Sequence, residues 1–143
     1  MLMKYQIFRL IMMLMAFMPL SQTTKADTPY YYLEVKISNI VVQKGMLYIG
    51  IYNSKEAFKN NVYCKGAAIA VKGGNMIYRV KLPKGTYAIK MYQDTNEDGK
   101  MNSIFGIPLE PYGISGNKRG FPKFDKSCFS LNKRMVINVK LKN

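Results

Sequence analysis

The chain has 143 residues, with 22 Lys and Arg against eight Asp and Glu, for a formal net charge of +14. It has no His, no Trp and two Cys, which excludes His-based triads, Cys–His dyads, His-ligated zinc and a four-thiolate zinc site. A composition 48% hydrophobic and 21% charged is that of one globular domain rather than a disordered chain.

Residues 1–26 read as an address. Lys4 and Arg9 supply a basic start with no acid before Asp27, and residues 10–20 form an apolar run of 11. A polar stretch then leads to Thr24-Lys25-Ala26, a small-x-small cleavage site. That order predicts a signal peptide over 1–26 and a single mature domain over 27–143, exported to the periplasm or beyond. The apolar run falls short of the roughly 20 residues a spanning helix needs, so no transmembrane span is expected after cleavage; an uncleaved signal anchor is the rival reading. Without Lys4, Arg9 and Lys25 the basic residues number 19 against eight acids, or +11. Outside the cytoplasm that charge would meet lipid headgroups, acidic glycan or an envelope protein, not nucleic acid. Its lysines are dispersed (Lys36, Lys72, Lys81, Lys90, Lys140, Lys142), as they also are on the solvated faces of strands.

From residue 33 onward the hydrophobic period is two. Leu33, Val35 and Ile37 alternate with polar residues, as do Leu47, Ile49 and Ile51. Residues 54–60 form one helical turn with Ser54 as N-cap. A weaker strand at 67–71 precedes Met76, Tyr78, Val80 and Leu82, and then Tyr87, Ile89 and Met91. A second weak strand at 127–131 precedes Met135, Ile137, Val139 and Leu141. Lys44-Gly45, Gly73-Gly74-Asn75 and Pro83-Lys84-Gly85 supply the turns. About seven strands, each with one buried face, predict an all-β, antiparallel β-sandwich, immunoglobulin-like or transthyretin-like. Cys64 and Cys128 would form a disulfide enclosing 63 residues, contributing roughly 4 kcal/mol in the chain-entropy model; two buried thiols are the rival.

Residues 94–124 show no convincing strand, and an ordered loop of this length is usually functional. Its residues Asp94, Asn96, Asp98, Gly99, Lys100 and Asn102 fit the start of a calcium loop. Side-chain oxygens at positions 1, 3 and 5 converge, Gly at 6 permits the turn, and positions 7 and 9 add a carbonyl and a further ligand. Position 12 is Phe105 rather than Glu, so this is no EF-hand, and Glu110 is the candidate to close the shell. A weak Ca²⁺ site of about 10⁻⁴–10⁻³ M is expected. The rivals are a metal-free, self-bonded Asx turn or another divalent ion. Phe105, Tyr112, Phe121 and Phe124 beside Lys118, Arg119 and Lys123 form a candidate binding patch, unless these hydrophobes merely pack onto the sandwich. No nucleophile or cofactor loop accompanies the acids, which argues for a non-enzymatic protein without organic cofactor. The alternative is a carboxylate-dependent polysaccharide hydrolase using Asp94, Asp98 or Glu110.

The segments Gly85-Thr86-Tyr87-Ala88-Ile89, Asp94-x-Asn96-x-Asp98-Gly99-Lys100, Gly106-Ile107-Pro108-x-Glu110-x-Tyr112-Gly113 and Gly120-x-Pro122-x-Phe124 together resemble the bacterial domain of unknown function 2141 family. The resemblance implies a small, secreted or periplasmic β-sandwich and no assigned activity. Two positions depart from the family pattern: Gln93 stands where it commonly has His, and Asn102 where it often has Asp.

Overall fold

The computed structural model describes residues 27–116 and 121–142. The expected signal peptide, and Lys118 and Arg119 of the expected patch, lie outside them. Among the described residues, ten strands and two short helices follow in order: β1 (Tyr30–Ser38), β2 (Met46–Tyr52), α1 (Lys55–Lys59), β3 (Lys65–Ala70), β4 (Met76–Pro83), β5 (Gly85–Asp94), β6 (Ser103–Ile104), β7 (Ile107–Pro108), β8 (Tyr112–Ile114), α2 (Phe124–Ser127), β9 (Phe129–Leu131) and β10 (Met135–Lys140).

The strands form a small sheet, β10-β1-β4, and a larger one, β3-β2-β5-β8, with β9 also paired to β5. Alternation places Leu33, Val35 and Ile37 of β1 and Val139 of β10 opposite Leu47, Ile49 and Ile51 of β2 and Ile89 and Met91 of β5. All of them are buried in one apolar cluster. An all-β sandwich results, as the period of two requires. One pairing departs from the all-antiparallel expectation: β10 runs parallel to β1, from Leu33↔Met135 to Ser38↔Lys140. Periodicity fixes which face turns inward and is silent on strand direction.

The larger sheet is covered on its other face as well. Tyr52, Phe58 and Ala88 form a second buried cluster, with Ile114, Phe124 and Cys128 packed against it. Ser54 caps α1, accepting from Ala57 N–H at 3.1 Å, and so sets Phe58 edge-on to Tyr52 and Phe124 at 5.4 and 5.9 Å. Buried Ser115 fastens this layer: its Oγ accepts from Ile89 N–H at 2.9 Å and donates to the Ser127 carbonyl at 2.6 Å.

The cysteines are not bridged. Both are free thiols, Cys64 exposed and Cys128 half-buried, and each Sγ faces a backbone carbonyl, of Ile51 and Asp125 respectively. Cys64 lies where the chain enters β3 and Cys128 caps α2, so their local elements set their directions independently. The long segment read as strandless contains the β6–β7 hairpin and β8, whose two or three residues are too few to show alternation. Among the described residues no helix is long and apolar enough to cross a membrane.

Candidate functional site

β5 carries the chain straight into the acidic loop. Its last residue, Asp94, is buried, and Gly45 packs against its carbonyl so closely that a Cβ there would lie 2.0 Å from the oxygen. Asp94 then organises the turn that follows. Its Oδ2 accepts from Gly99 N–H at 2.8 Å and its Oδ1 from Asp98 N–H at 3.3 Å. Asp98 repeats the device, accepting from Lys100 N–H at 2.9 Å and from the Asn96 and Asn102 amides at 3.1 and 2.9 Å. Glu97 and Gly99 take positive φ, 61° and 76°, which the wrapping requires. The Asp98 carboxyl is held below its ordinary value, chiefly by the Asn102 amide and next by Lys100 N–H.

Glu110 is buried and acts as a brace. Its Oε1 accepts from Thr95 N–H and its Oε2 from Asn102 N–H, each at 3.1 Å. One carboxylate thereby joins the two ends of the turn, and Leu109 N–H closes the same neck onto the Asn102 carbonyl at 2.9 Å. Asp94, Asn96, Asp98, Lys100, Asn102 and Glu110 are thus brought together, but as a self-bonded turn. No group of three or more acidic, thiol or imidazole ligands assembles for a metal among the described residues.

Beyond the neck projects the β6–β7 hairpin, in which Ser103 pairs with Pro108 and Ile104 with Ile107. Its two-residue turn is Phe105-Gly106, at φ 50° and 77°, the signature of a type I′ turn. Met101, Ile104, Phe105, Ile107 and Leu109 are all exposed, Phe105 wholly so. These hydrophobes therefore do not cover the sandwich. The expected aromatic patch divides: Phe105 and Phe121 stand in solvent, Phe124 packs on Phe58, and half-buried Tyr112 lies opposite Tyr92.

Two residues were missed from sequence. Gln93, at the departure from the family's His, is wholly buried and donates from Nε2 to the Val42 and Lys44 carbonyls, at 2.5 and 2.8 Å, tying down the turn before β2. Lys90 is half-buried on the outer face of β5. Its position beside inward-facing Ile89 and Met91 marked it only as a solvated lysine.

A family model described as "Uncharacterized protein conserved in bacteria (DUF2141)" matches residues 35–138. No curated protein and no solved structure matches the chain.

Proposed function

We propose, from the premise that the chain belongs to this DUF2141 family, that it is an exported, non-catalytic binding module of the cell envelope that meets an anionic lipid surface through the hairpin tip at residues 104–107. One observation carries the reading. Phe105 is wholly exposed at φ 50°, where Gly or Asn would suit the backbone and any polar side chain would suit the solvent. Neither local conformation nor packing asks for Phe there, so its use lies outside the folded chain. Ile104, Ile107 and Leu109 extend the apolar tip, and each such side chain fully buried in lipid contributes about 1.5–3 kcal/mol. A net charge of +11 on residues 27–143, 19 basic against eight acidic, adds attraction for an anionic surface, about 1 kcal/mol for each Lys or Arg that reaches it.

Co-sedimentation with vesicles of phosphatidylglycerol and phosphatidylcholine tests this. Wild type should partition, and Phe105→Asp should lose at least about tenfold in partitioning with its unfolding curve intact. Equal partitioning of the variant, or binding to an envelope glycan or protein with none to vesicles, refutes the lipid reading.

The loop also supports a weak Ca²⁺ site. Asp98 Oδ2 already faces the side-chain amides of both Asn96 and Asn102, and turning those amides about would set their oxygens beside it. Asp94, Asp98, Asn96, Asn102 and the Lys100 carbonyl would be the ligands, with Glu110 as brace. Two carboxylates fit the weak end of calcium affinity. Thermal unfolding in rising CaCl₂ should show stabilisation reaching about 2.7 kcal/mol at 100 times the dissociation constant, absent in Asp98→Ala; no shift in wild type leaves a self-bonded turn. The non-catalytic reading is supported by the loop's bonding: Asp94, Asp98 and Glu110 each accept backbone N–H groups of the turn, so these carboxylates hold the main chain rather than flank an open cleft as a glycosidase pair does.

A further inference from the structure

The outer face of the larger sheet carries a cleft of about 370 Å³ between α1 and α2, lined by Lys55, Lys59, Lys90 and Lys123 and by Phe58 and Phe124. Its single acid, Asp125, is already paired with Lys55 at 2.8 Å. Lys59, Lys90 and Lys123 line the same concavity with no carboxylate partner among the described residues.

Lys90 is the least ordinary of them. Directly across from it β2 has Gly50, and Tyr52 lies over that glycine, its hydroxyl 2.8 Å and its ring 3.1 Å from where a Cβ would be. Lys90 Nζ sits 5.1 Å from the Tyr52 ring centre and 3.9 Å from that of Phe58. It donates to the Phe58 carbonyl at 2.5 Å and to Asn61 Oδ1 at 2.8 Å, which leaves one of its three hydrogens uncommitted. Asn61 holds φ 57°, a left-handed setting that Asn tolerates. Burial lowers the Lys90 pKa, as it does for an ammonium with no counter-charge. A solvated lysine would simply extend into water; this one is held by two neutral acceptors and two ring faces at the edge of a cleft.

We propose that this cleft binds a small organic oxyanion, its carboxylate or phosphate group against Lys90, Lys59 and Lys123 and its flat apolar body on Phe124. An anion there gives a desolvated ammonium its counter-charge. The volume lies within the ordinary range for small-ligand sites, about 300–1,000 Å³. This site is separate from the hairpin tip and does not depend on membrane binding.

The test is amine labelling of the purified protein by a brief acetic anhydride pulse, read residue by residue by mass spectrometry, with phenyl phosphate, benzoate and inorganic phosphate as probes. At ten times its dissociation constant a bound probe should lower Lys90 labelling about tenfold, with exposed Lys72 unchanged. Protection by phenyl phosphate alone assigns a phosphate ligand, and by benzoate alone a carboxylate. Lys90→Met, which keeps an apolar stem over Phe58, should weaken binding at least tenfold, and Lys72→Met should leave it unchanged. No protection of Lys90 by either organic probe up to about 10 mM, protection by inorganic phosphate equal to that by phenyl phosphate, or equal affinity of Lys90→Met overturns the proposal. The wild-type labelling decides by itself if Lys90→Met does not fold.

Discussion

Replacing Glu110 by Ala should release the acidic loop from both of its ends at once. Each carboxylate oxygen accepts one backbone N–H, from Thr95 and from Asn102, at 3.1 Å. Hydrogen bonds to a charged group contribute about 1.5–3 kcal/mol each, so the pair sets a gross value of about 3–6 kcal/mol. Both donors belong to half-buried residues, and water entering the space of the lost side chain recovers part of that. The expected destabilisation is therefore about 2–4 kcal/mol. Glu110→Gln keeps one acceptor oxygen and points an amide at the second donor, which should cost about 1.5–3 kcal/mol. Urea unfolding gives the totals, and hydrogen exchange shows where they arise. In Glu110→Ala the Thr95 and Asn102 amides should lose protection while Ile89, bonded to Ser115 in the core, loses no more than the fall in global stability requires. A variant within about 0.5 kcal/mol of wild type, the usual range for an inert surface change, with both loop amides still protected, would refute the brace.

Gly45→Ala should be costly for two reasons that add. The residue holds φ 78°, and its Cβ would lie 2.0 Å from the Asp94 carbonyl oxygen. Left-handed strain of about 1–2 kcal/mol and overpacking of about 1–3 kcal/mol predict a urea midpoint well below wild type; an unchanged midpoint would show that the turn does not press on Asp94. Asp98 makes the acid limb sensitive. Its folded value lies below the ordinary 3.8, so its contribution is complete above that pH and is lost as pH falls through the lowered value. Urea midpoints followed downward from about pH 6 should fall less steeply in Asp98→Asn than in wild type, and parallel curves would contradict the assignment.

The sandwich was legible because its inward residues are spaced for it. Leu33, Val35 and Ile37, and Leu47, Ile49 and Ile51, sit where a period of two puts them, and each is buried. Pairing was not legible: nothing in Met135, Ile137 and Val139 says that they lie parallel to β1. The second face of β5 was hidden because Ala88 and Lys90 read as the wet side of an alternating strand, whereas α1 and α2 cover them. In the loop, the spacing of Asp94, Asn96 and Asp98 announced convergence and was silent on what they converge upon, since backbone N–H groups and cations ask for the same oxygens. Glu110, 16 residues beyond Asp94, could be seen as a partner for the turn; that it would grip the main chain depended on a hairpin whose strands are two residues long. Phe105-Gly106 was missed as a turn because type I′ turns favour Asn-Gly.

The parallel register of β10 on β1 governs when this molecule can exist. Leu33 meets Met135, and Asn39 reaches the Leu141 carbonyl at 2.8 Å across 102 residues of chain. Until β10 arrives, β1 keeps one bare edge, and Val139 and Leu141 are missing from the core. The antiparallel pair of β2 and β3 can gather early, whereas the small sheet waits for β10. Contacts of such long range slow folding, so the chain passes through an interval with the edge of β1 exposed to any strand that reaches it before β10 does.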